Sequence, residues 1–350
     1  MVKQRHRITS YDVAEAAGVS QSTVSRALSG DPIVAEATRN RILDIARSLN
    51  YHIDAAASRT RSGRIETIAV VMVCPEHEDV RVLNPFHYGL LAAICSAASQ
   101  RGLETIVSFQ GARDRLKDSY EQGRRAMGII VIGTSENHTA WNFFRNSAQN
   151  GTHIVCWGAP YDDLDWVRAD NHAGAALAVE HLLAQGYKSI AYVGDNNCPQ
   201  RQFAERYAGY VTAMEQAGKT PRLIEVAPGL SRHEQGRRAA QALLASGQAF
   251  NAIFAACDDL ALGAMAVLEE RGLSVPGDVG VVGFDGVRSG AIAVTPLSTI
   301  EPDFAAAGEV LVERMLASVA GEVAPRRRVP VSLVVRESSA AAAPQKATAA

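Results

Sequence analysis

The sequence of 350 residues has few cysteines and aromatic residues, and it has no long apolar run. Its five cysteines are widely spaced, with no Cys-x-x-Cys pair or cysteine–histidine cluster, which argues against a metal site and a disulfide scaffold. No apolar run approaches the roughly 20 residues that cross a bilayer. The polar, basic first residues predict no signal peptide. We therefore predict a cytoplasmic protein with free thiols and with neither a metal nor a cofactor.

Catalytic motifs are missing as well. The sequence contains no phosphate-binding loop, nucleophile elbow or metal motif. Asp258 or Asp285 with His181 could suggest a catalytic group, but His181 is predicted to lie in the middle of a helix. We predict that the protein is not an enzyme and has no catalytic residues. The C-terminal segment contains no leucine heptad, so a coiled-coil tetramer is not predicted either.

The charge is unevenly distributed along the chain. Hydrophobic residues make up 47% and charged residues 21%, the balance of an ordinary globular protein with two or three domains. Residues 1–64 carry ten Lys and Arg against six Asp and Glu, whereas residues 65–350 carry 25 against 31. A basic head on an acidic body indicates that the head binds a polyanion.

Three short helices are predicted in the head, at residues 11–17, 21–28 and 35–50. Thr9 and Asp12 have the spacing of a capping box before the first helix. Gly18 suits a left-handed C-cap, and Ser20 suits the N-cap of the second helix. Two short helices joined by a glycine turn are typical of a helix-turn-helix, although the pattern also occurs in other α-rich proteins.

The second helix carries side chains suited to reading DNA. Small hydroxyls and an amide at its start can face base edges, and an arginine can contact guanine or phosphate. The residues of this kind are Ser20, Gln21, Ser22, Thr23, Ser25 and Arg26. Gln21 can pair with adenine and Arg26 with guanine.

From about residue 65, apolar strands alternate with amphipathic helices. Eight strands are predicted at 67–73, 104–109, 128–132, 152–157, 189–193, 223–226, 252–256 and 279–284. Helices are predicted at 86–101, 119–125, 173–185, 203–217, 234–245, 260–271 and 305–319. This alternation is typical of parallel sheets covered on both faces, with a ligand cleft at the carboxyl ends of the strands. The predicted fold is an all-α helix-turn-helix head followed by an α/β body of two doubly wound parallel-sheet lobes.

The sequence resembles the lactose-repressor (LacI/GalR) family of bacterial transcriptional regulators over nearly its whole length. The matching segments are 9–28, 38–42, 49–51, 61–64, 67–71, 84–86, 170–171, 179–182, 206–210, 258–263 and 281–285. The resemblance implies a helix-turn-helix domain at 1–52 and a hinge at 53–64. It further implies a two-lobed effector-binding and dimerisation domain at 65–337, similar to periplasmic binding proteins. Residues 338–350 are predicted to be a disordered tail.

The resemblance implies a homodimer on a near-palindromic operator, with each recognition helix in a major groove and the hinge in the minor groove. The predicted DNA contacts are Thr9, Tyr11, Ser20, Gln21, Ser22, Thr23, Ser25, Arg26, Ser29, Arg59, Thr60 and Arg61. Thr60 stands where the family has an intercalating leucine, so we predict a shallower central kink with more affinity from Arg59 and Arg61. Ala35 stands where the family usually has an N-cap serine, and the third helix is predicted to fray there.

The effector contacts implied by the resemblance are Phe86, Trp157, Arg206, Asp258 and Asp285. Three of them have a structural alternative: Asp258 as a helix N-cap, Arg206 in an ion pair between the lobes, and Trp157 in packing between the lobes. Crossovers between the lobes are predicted near 157–162, 284–291 and 297–302. Cys156 and Cys257 stand where relatives have hydrogen-bonding residues, which predicts an effector different from the family's commonest sugars.

Together these observations predict a sequence-specific DNA-binding regulator, a repressor, whose operator affinity is changed allosterically by a small ligand. Carboxylates, a guanidinium and an aromatic ring suit a sugar. Two alternatives remain: a purine- or nucleoside-responsive regulator of the same family, and a cytoplasmic sugar-binding module without a regulatory role.

Overall fold

The computed structural model describes residues 8–49, 51, 65–76, 83–134, 136–196, 201–322 and 326–340. The chain divides into two compact units, residues 1–65 and 66–350. None of the helices within these described ranges is long and apolar enough to cross a membrane.

The described part of the first unit contains three helices, α1 (Ser10–Ala17), α2 (Gln21–Leu28) and α3 (Glu36–Ser48). They enclose a small apolar core built around Val13, Val24 and Ile42, which are all fully buried. The predicted bounds of α2 are confirmed, whereas α1 starts one residue earlier and α3 is shorter at both ends. These side chains are buried because they repeat at helical spacing on the inner face of each helix.

The capping predictions for the head are confirmed. The Thr9 hydroxyl accepts from the backbone N–H of Asp12, and the Asp12 carboxylate accepts from the backbone N–H of Thr9. Gly18 ends α1 in the left-handed region, at φ 63°, where a side chain would be strained. Ser20 caps α2 by accepting from the N–H of Thr23, at 3.2 Å. Ala35 gives α3 no side-chain cap.

The second unit contains two six-stranded sheets. The first sheet has the order β11-β5-β4-β3-β1-β2 and is parallel throughout. Its strands are β1 (Thr67–Val73), β2 (Glu104–Gln110), β3 (Ile129–Gly133), β4 (Ile154–Trp157), β5 (Asp165–Ala169) and β11 (Arg327–Val329). Helices α4 (Pro85–Gln100), α5 (His138–Gln149) and α11 (Phe304–Val319) cover it to form the first lobe.

The second sheet has the order β12-β10-β9-β8-β6-β7, and its edge strand β12 is antiparallel to β10. Its strands are β6 (Ile190–Gly194), β7 (Leu223–Glu225), β8 (Ala252–Ala255), β9 (Gly280–Phe284), β10 (Ser298–Pro302) and β12 (Val331–Val334). The helices of this second lobe are α6 (Asn171–Ala184), α7 (Arg201–Gln216), α8 (Arg232–Ala245), α9 (Asp258–Glu270) and the short α10 (Arg288–Ala291). The central strands of both sheets are fully buried, because helices cover both faces.

All eight predicted strands are present within two residues of their predicted bounds, but β5, β10, β11 and β12 were not predicted. Strands β5, β10 and β11 carry charged or proline residues, and β12 has four residues with a serine among them, so none of the four has the long apolar run of a central strand. The predicted helix at 119–125 is wrong. This segment consists of turns, with Arg124 at φ 50°, and helix α5 was missed.

The chain passes between the lobes three times: between β5 and α6, between β10 and α11, and at Pro330 between β11 and β12. The three passages lie side by side, because the N–H of Asp170 donates to the carbonyl of Val329 and that of Asp303 to the carbonyl of Pro330. The predicted crossovers at 157–162 and 284–291 are therefore wrong. In both places the chain turns back into the same sheet, through Gly158 and Gly286 at positive φ. The third predicted segment, 297–302, is strand β10 itself, and the crossing follows it.

The predicted start of the disordered tail is also wrong. Ser338 and Ser339 are fully buried in the second lobe. The Ser338 hydroxyl donates to the carbonyl of Val281 and accepts from the N–H of Ser298. Residues 341–350 lie outside the described part of the chain.

Candidate nucleic-acid interface and ligand cleft

One face of α2 is buried and the other is polar. Val24 and Ala27 pack into the core of the head, while Ser22 and Arg26 are exposed. The Arg26 side chain is 57% exposed, and the carboxylate of Asp31 lies 4.0 Å from its Nε. This arrangement gives α2 the small hydroxyls and the mobile donor that contacts to DNA require.

Several predicted DNA contacts also hold the head together. The Ser20 hydroxyl lies 2.8 Å from the hydroxyls of both Ser22 and Thr23. The Gln21 amide donates to the Ser10 hydroxyl at 3.2 Å, and the Ser29 hydroxyl donates to the Arg26 carbonyl. These bonds fix the start and the end of α2.

The three remaining predicted DNA contacts of the described head lie on or beside α1 and α2. Tyr11 is 72% exposed on α1, Thr9 is engaged in the capping box, and Ser25 is partly exposed on α2. The predicted hinge contacts Arg59, Thr60 and Arg61 lie outside the described residues.

Two head arginines are structural. Arg39 donates to the carbonyls of Asp31 and Val34, and Arg41 donates to the carbonyl of Ala17. Part of the positive charge of the head therefore binds its own backbone.

In the second unit, a cleft of about 490 Å³ lies between the two lobes at the carboxyl ends of the strands, as predicted. The first lobe contributes Pro75, Leu83, Asn84, Phe86, His87, Thr134, Glu136, Trp157, Gly158, Arg168 and Ala169. The second lobe contributes Asn171, Gln202, Phe203, Arg206, Gly229, Leu230, Ser231, Arg232, His233, Cys257, Asp259 and Asp285. Volumes of this order accommodate small organic ligands.

The apolar wall of the cleft consists of Phe86 and Trp157, two predicted contacts that the fold brings together. Their ring centroids are 5.9 Å apart, and Phe304 packs behind Phe86 at 5.1 Å. Phe86 lies in the first turn of α4 because Pro85 starts this helix and the Asn84 side chain caps it. Trp157 therefore both packs in the core of the first lobe and lines the cleft.

Arg206 and Asp285 form a buried ion pair, with an Nη2–Oδ1 distance of 3.0 Å. Arg206 also donates to the Asn171 side chain and to the Ala256 carbonyl, and its guanidinium lies 3.5 Å from the centroid of the Phe284 ring. Burial raises the pKa of Asp285 to about 6, although Arg206 acts in the opposite direction. Both residues belong to the second lobe, so the interpretation of Arg206 as a lobe-to-lobe ion pair is wrong.

Asp285 has an unusual backbone conformation, at φ 115°. A non-glycine residue in this region costs about 1–3 kcal/mol and persists where its surroundings hold it. Here the N–H of Asp285 donates to Ile300, and its carboxylate accepts from Asn84 of the first lobe, at 3.3 Å. The strained residue thus connects the two lobes at the base of the cleft.

Asp258 does not line the cleft, which corrects both sequence interpretations of it. It is the first residue of α9, and Cys257 occupies the N-cap position. The Asp258 carboxylate accepts from the Thr299 hydroxyl and from the N–H of Val287, at 2.6 and 2.8 Å. Burial raises the pKa of Asp258 well above its ordinary value. Gly283 leaves the space for this carboxylate, since a Cβ there would collide with Oδ1.

Asp259, which sequence reasoning missed, lines the cleft in place of Asp258. The adjacent pair of aspartates was visible in the sequence, but only the start of α9 decides which of them faces the cleft.

Of the two cysteines singled out in the sequence, the structure places only one in the cleft. Cys257 lines the cleft, whereas Cys156 is buried in a separate apolar core of the first lobe, so the argument for a different effector from Cys156 is wrong.

Ion pairs connect the lobes around the cleft. Arg232 donates to Glu136 at 2.7 Å, Arg201 pairs with Asp162 at 3.3 Å, and Glu205 accepts from both Arg168 and Arg328. Burial alone would raise the pKa of Glu205, but Arg328, Asn171 and Arg168 hold it below its ordinary value. These pairs stabilise the observed closure of the lobes.

Among the described residues, no group of three or more His, Cys, Asp or Glu side chains could hold a metal ion. His181 contacts Ser339, at 2.7 Å, and does not line the cleft, so it forms no group with Asp285.

Comparison with known proteins assigns the chain to a family. Residues 9–54 match "Bacterial regulatory proteins, lacI family", and residues 179–339 match "Periplasmic binding protein-like domain". The "HTH-type transcriptional regulator MalR" of Streptomyces coelicolor is 31% identical over 345 residues, which cover 95% of this chain and 96% of MalR. This chain belongs to the LacI family.

The LacI-family chain is also similar to other members. The "HTH-type transcriptional repressor PurR" of Mannheimia succiniciproducens is 27% identical, over 94% of this chain and 98% of PurR. The lac repressor dimer bound to operator and the anti-inducer ONPF has a TM-score of 0.76 at 27% identity, over 96% of this chain and all of that one. A CelR–cellobiose complex has a TM-score of 0.66 at 25% identity, over 95% of this chain and all of that one.

The predicted family, the predicted architecture and the predicted class of protein, a helix-turn-helix transcriptional regulator, are thereby confirmed. Both MalR and PurR are named as transcriptional regulators.

Proposed function

We propose that this LacI-family regulator represses transcription by binding operator DNA as a homodimer, and that a sugar bound between its lobes changes its affinity for the operator. The observation that carries the proposal is the cleft itself. Polar groups from both lobes meet across it, as in the 2.7 Å contact between Arg232 and Glu136. A ligand that contacts both lobes must favour one closure angle over another, and this difference is what allosteric control requires.

The DNA contacts of the proposal centre on α2. Ser22 and Arg26 are exposed there, and Tyr11 is exposed on α1. Arg59, Thr60 and Arg61 remain predicted contacts of the minor groove. The operator found with the lac repressor dimer supports this assignment.

The ligand contacts of the proposal are Phe86 and Trp157 for an apolar ring face, and Arg206 and Asp285 at the polar base. Asp258, a predicted effector contact, is left out because it does not line the cleft. A sugar fits because it presents an apolar face together with hydroxyls. The cellobiose in the CelR complex supports this choice. A planar purine is the alternative, and the experiment below includes it.

Exposed apolar side chains support the homodimer. In the first lobe, Phe109 of β2 and Tyr88 of α4 are exposed next to each other, with ring centroids 6.5 Å apart. In the second lobe, Ile292 is exposed and Val294 is 96% exposed. Exposed apolar patches commonly mark a subunit interface. Sedimentation of the purified protein at micromolar concentration should give a dimer.

The proposal includes no catalysis and places the protein in the cytoplasm, where the bacterial chromosome is. A regulator of this kind should return its ligand unchanged. Incubation with a bound sugar followed by chromatography checks this point, and a chemically altered sugar would contradict it.

The decisive experiment is selection of random duplex DNA by the purified protein, followed by titration of sugars and purines against the selected site. We expect a palindrome whose binding changes with one ligand, and the direction of the change gives the sign of regulation. If no sequence is enriched while a sugar still binds tightly, the protein is a sugar-binding module and the proposed function is wrong.

A further inference from the structure

Among the charged side chains that line the cleft, the arginines have carboxylate partners, whereas one carboxylate has no partner among the described residues. Each of the three arginines that line it already has a carboxylate partner, namely Asp285 for Arg206, Glu136 for Arg232, and Glu205 for Arg168. The guanidiniums are therefore neutralised by the protein itself. None of them remains as an uncommitted positive charge for an anionic ligand.

Asp259 differs from the other carboxylates of the cleft. It is the second residue of α9 and is partly buried, and no described residue forms a hydrogen bond or an ion pair with its carboxylate. The charges of His233 and Arg232 act on it from a distance. Its oxygens are thus available to accept hydrogen bonds from a ligand.

Two further polar atoms of the lining lack partners within the described structure. They are Oε1 of Gln202 in the second lobe and Nδ1 of His87 in the first, and both are buried. Burial lowers the pKa of His87 to about 4, so its imidazole is neutral at pH 7 and adds no positive charge. Both atoms are buried below the surface of the cleft, so they are not counted among the contacts of a ligand.

A phosphate group would find little to bind in this cleft. Anions commonly bind at the N-terminus of a helix, but the first turn of α9 already contains two carboxylates, Asp258 and Asp259. An added negative charge would be repelled by Asp259, and a buried charge without a partner is strongly disfavoured. Hydroxyl groups can instead donate to the Asp259 carboxylate without this cost.

We propose that the cleft selects an uncharged, hydroxyl-rich ligand, that Asp259 is the acceptor which determines this selectivity, and that phosphorylated and carboxylated compounds are rejected. The inference rests on the proposed function in one respect, since it assigns the ligand class of the same cleft.

The test uses the full-length protein and calorimetric titration with matched compounds. The neutral probes are glucose, maltose and cellobiose, the anionic probes are glucose 6-phosphate and glucuronate, and guanine and hypoxanthine represent purines. We expect at least one neutral sugar to bind, and both anionic probes to bind it at least 10-fold more weakly. This comparison needs no variant and is independent of any effect on folding.

Variants of Asp259 test its role directly. Asp259→Asn should weaken binding of the neutral sugar by about 10-fold to 100-fold, the range for loss of a hydrogen bond to a charged group. Asp259→Lys should reverse the preference towards glucose 6-phosphate, a change that a purely structural role would not produce. The matched control is Glu269→Gln, which removes one carboxylate from the exposed end of the same helix and should leave sugar binding unchanged. Circular dichroism confirms that each variant is folded.

The outcomes separate the inference from the proposed function. Tight binding of an anionic probe, binding of a purine alone, or no binding of any neutral sugar would overturn the inference. If one of those ligands changes operator affinity, the proposed function still holds. Conversely, if a neutral sugar binds through Asp259 without any effect on operator affinity, the inference holds and the proposed function is wrong.

Discussion

The face of α2 and the interlobe cleft use the same kinds of side chain in opposite ways. Arg26 of α2 has a side chain that is 57% exposed, whereas the side chain of Arg206 in the cleft is 5% exposed. Arg26 has one carboxylate at the limit of ion-pair distance, whereas Arg206 is held by Asp285, Asn171 and the Ala256 carbonyl. An exposed arginine remains free to reach a partner, while a buried one is positioned before any ligand arrives.

The two regions also differ in what fixes them. Local caps fix the head: Thr9 and Asp12 start α1, Gly18 ends it, and Ser20 starts α2. Long-range pairs fix the cleft, such as Asn84 with Asp285 and Arg168 with Glu205. Changes on the exposed face of α2 should therefore alter DNA binding with little effect on stability, whereas changes in the cleft should alter ligand binding and stability together.

The largest effect is expected from Arg206→Ala. It leaves the Asp285 carboxylate buried without its partner, which should lower the free energy of unfolding of the two-lobed unit by about 3–5 kcal/mol. Chemical denaturation followed by circular dichroism measures this loss. The matched control is Arg238→Ala, an exposed arginine paired with Glu234, which should change the stability by less than about 1 kcal/mol. Equal losses for the two variants would remove the distinction between buried and exposed arginines.

The next effect is a pH dependence from His87. Its pKa is lowered to about 4 in the folded protein from 6.5, so between these values the unfolded chain binds a proton that the folded chain does not. Stability should therefore fall as the pH falls from 6.5 towards 4, by roughly 3 kcal/mol from this residue alone. Subtracting the stability of His87→Asn, measured over the same pH range, isolates the contribution. A difference that stays constant with pH would contradict the prediction.

Arg26→Ala tests the head. We expect a loss of about 1–3 kcal/mol in binding to the selected operator, with unfolding unchanged within about 0.5 kcal/mol. Arg47→Ala on α3 removes the same charge from another exposed position of the head and is the matched control. Fluorescence anisotropy at fixed salt compares the two variants. If both weaken binding equally, Arg26 contributes only general electrostatic attraction, and the specific contact is disproved.

The smallest effect is expected from Ala35→Ser. Ala35 has an extended backbone before α3 and supplies no side-chain cap, so a serine hydroxyl should stabilise the head by about 0.5–1 kcal/mol. Thermal unfolding of the head within the full chain measures the gain. Ala35→Val has no acceptor and should give no gain. A serine variant no more stable than the valine variant would show that local caps do not limit the stability of the head.

Local sequence predicted the head well because its structure depends on neighbours along the chain. The capping box at Thr9, the turn at Gly18 and the cap at Ser20 each join residues at most three or four positions apart. The central strands were predicted for a similar reason, since a fully buried strand is a continuous apolar run. The turns at 119–125 were mistaken for a helix because their composition is similar to that of a helix, and Arg124 reverses the chain there.

The cleft could be predicted only in part. Its aromatic wall, Phe86 and Trp157, and its buried pair, Arg206 and Asp285, were identified through resemblance to a family. Asp258 was placed in the cleft wrongly, because the boundary of α9 at Cys257 turns Asp258 towards Thr299 and leaves Asp259 facing the ligand space. A shift of one residue at a helix start is beyond the precision of sequence patterns.

The sequence by itself determined the family, the order of most helices and of the central strands, and the polar face of α2, since all of these are recorded in contiguous segments. Only the tertiary structure decided where the chain passes between the lobes, which carboxylates are paired, and which one remains free for a ligand. Those features join residues as distant along the chain as Asn84 and Asp285. No local pattern encodes such a pairing, because it exists only once both sheets have formed and the lobes have closed on each other.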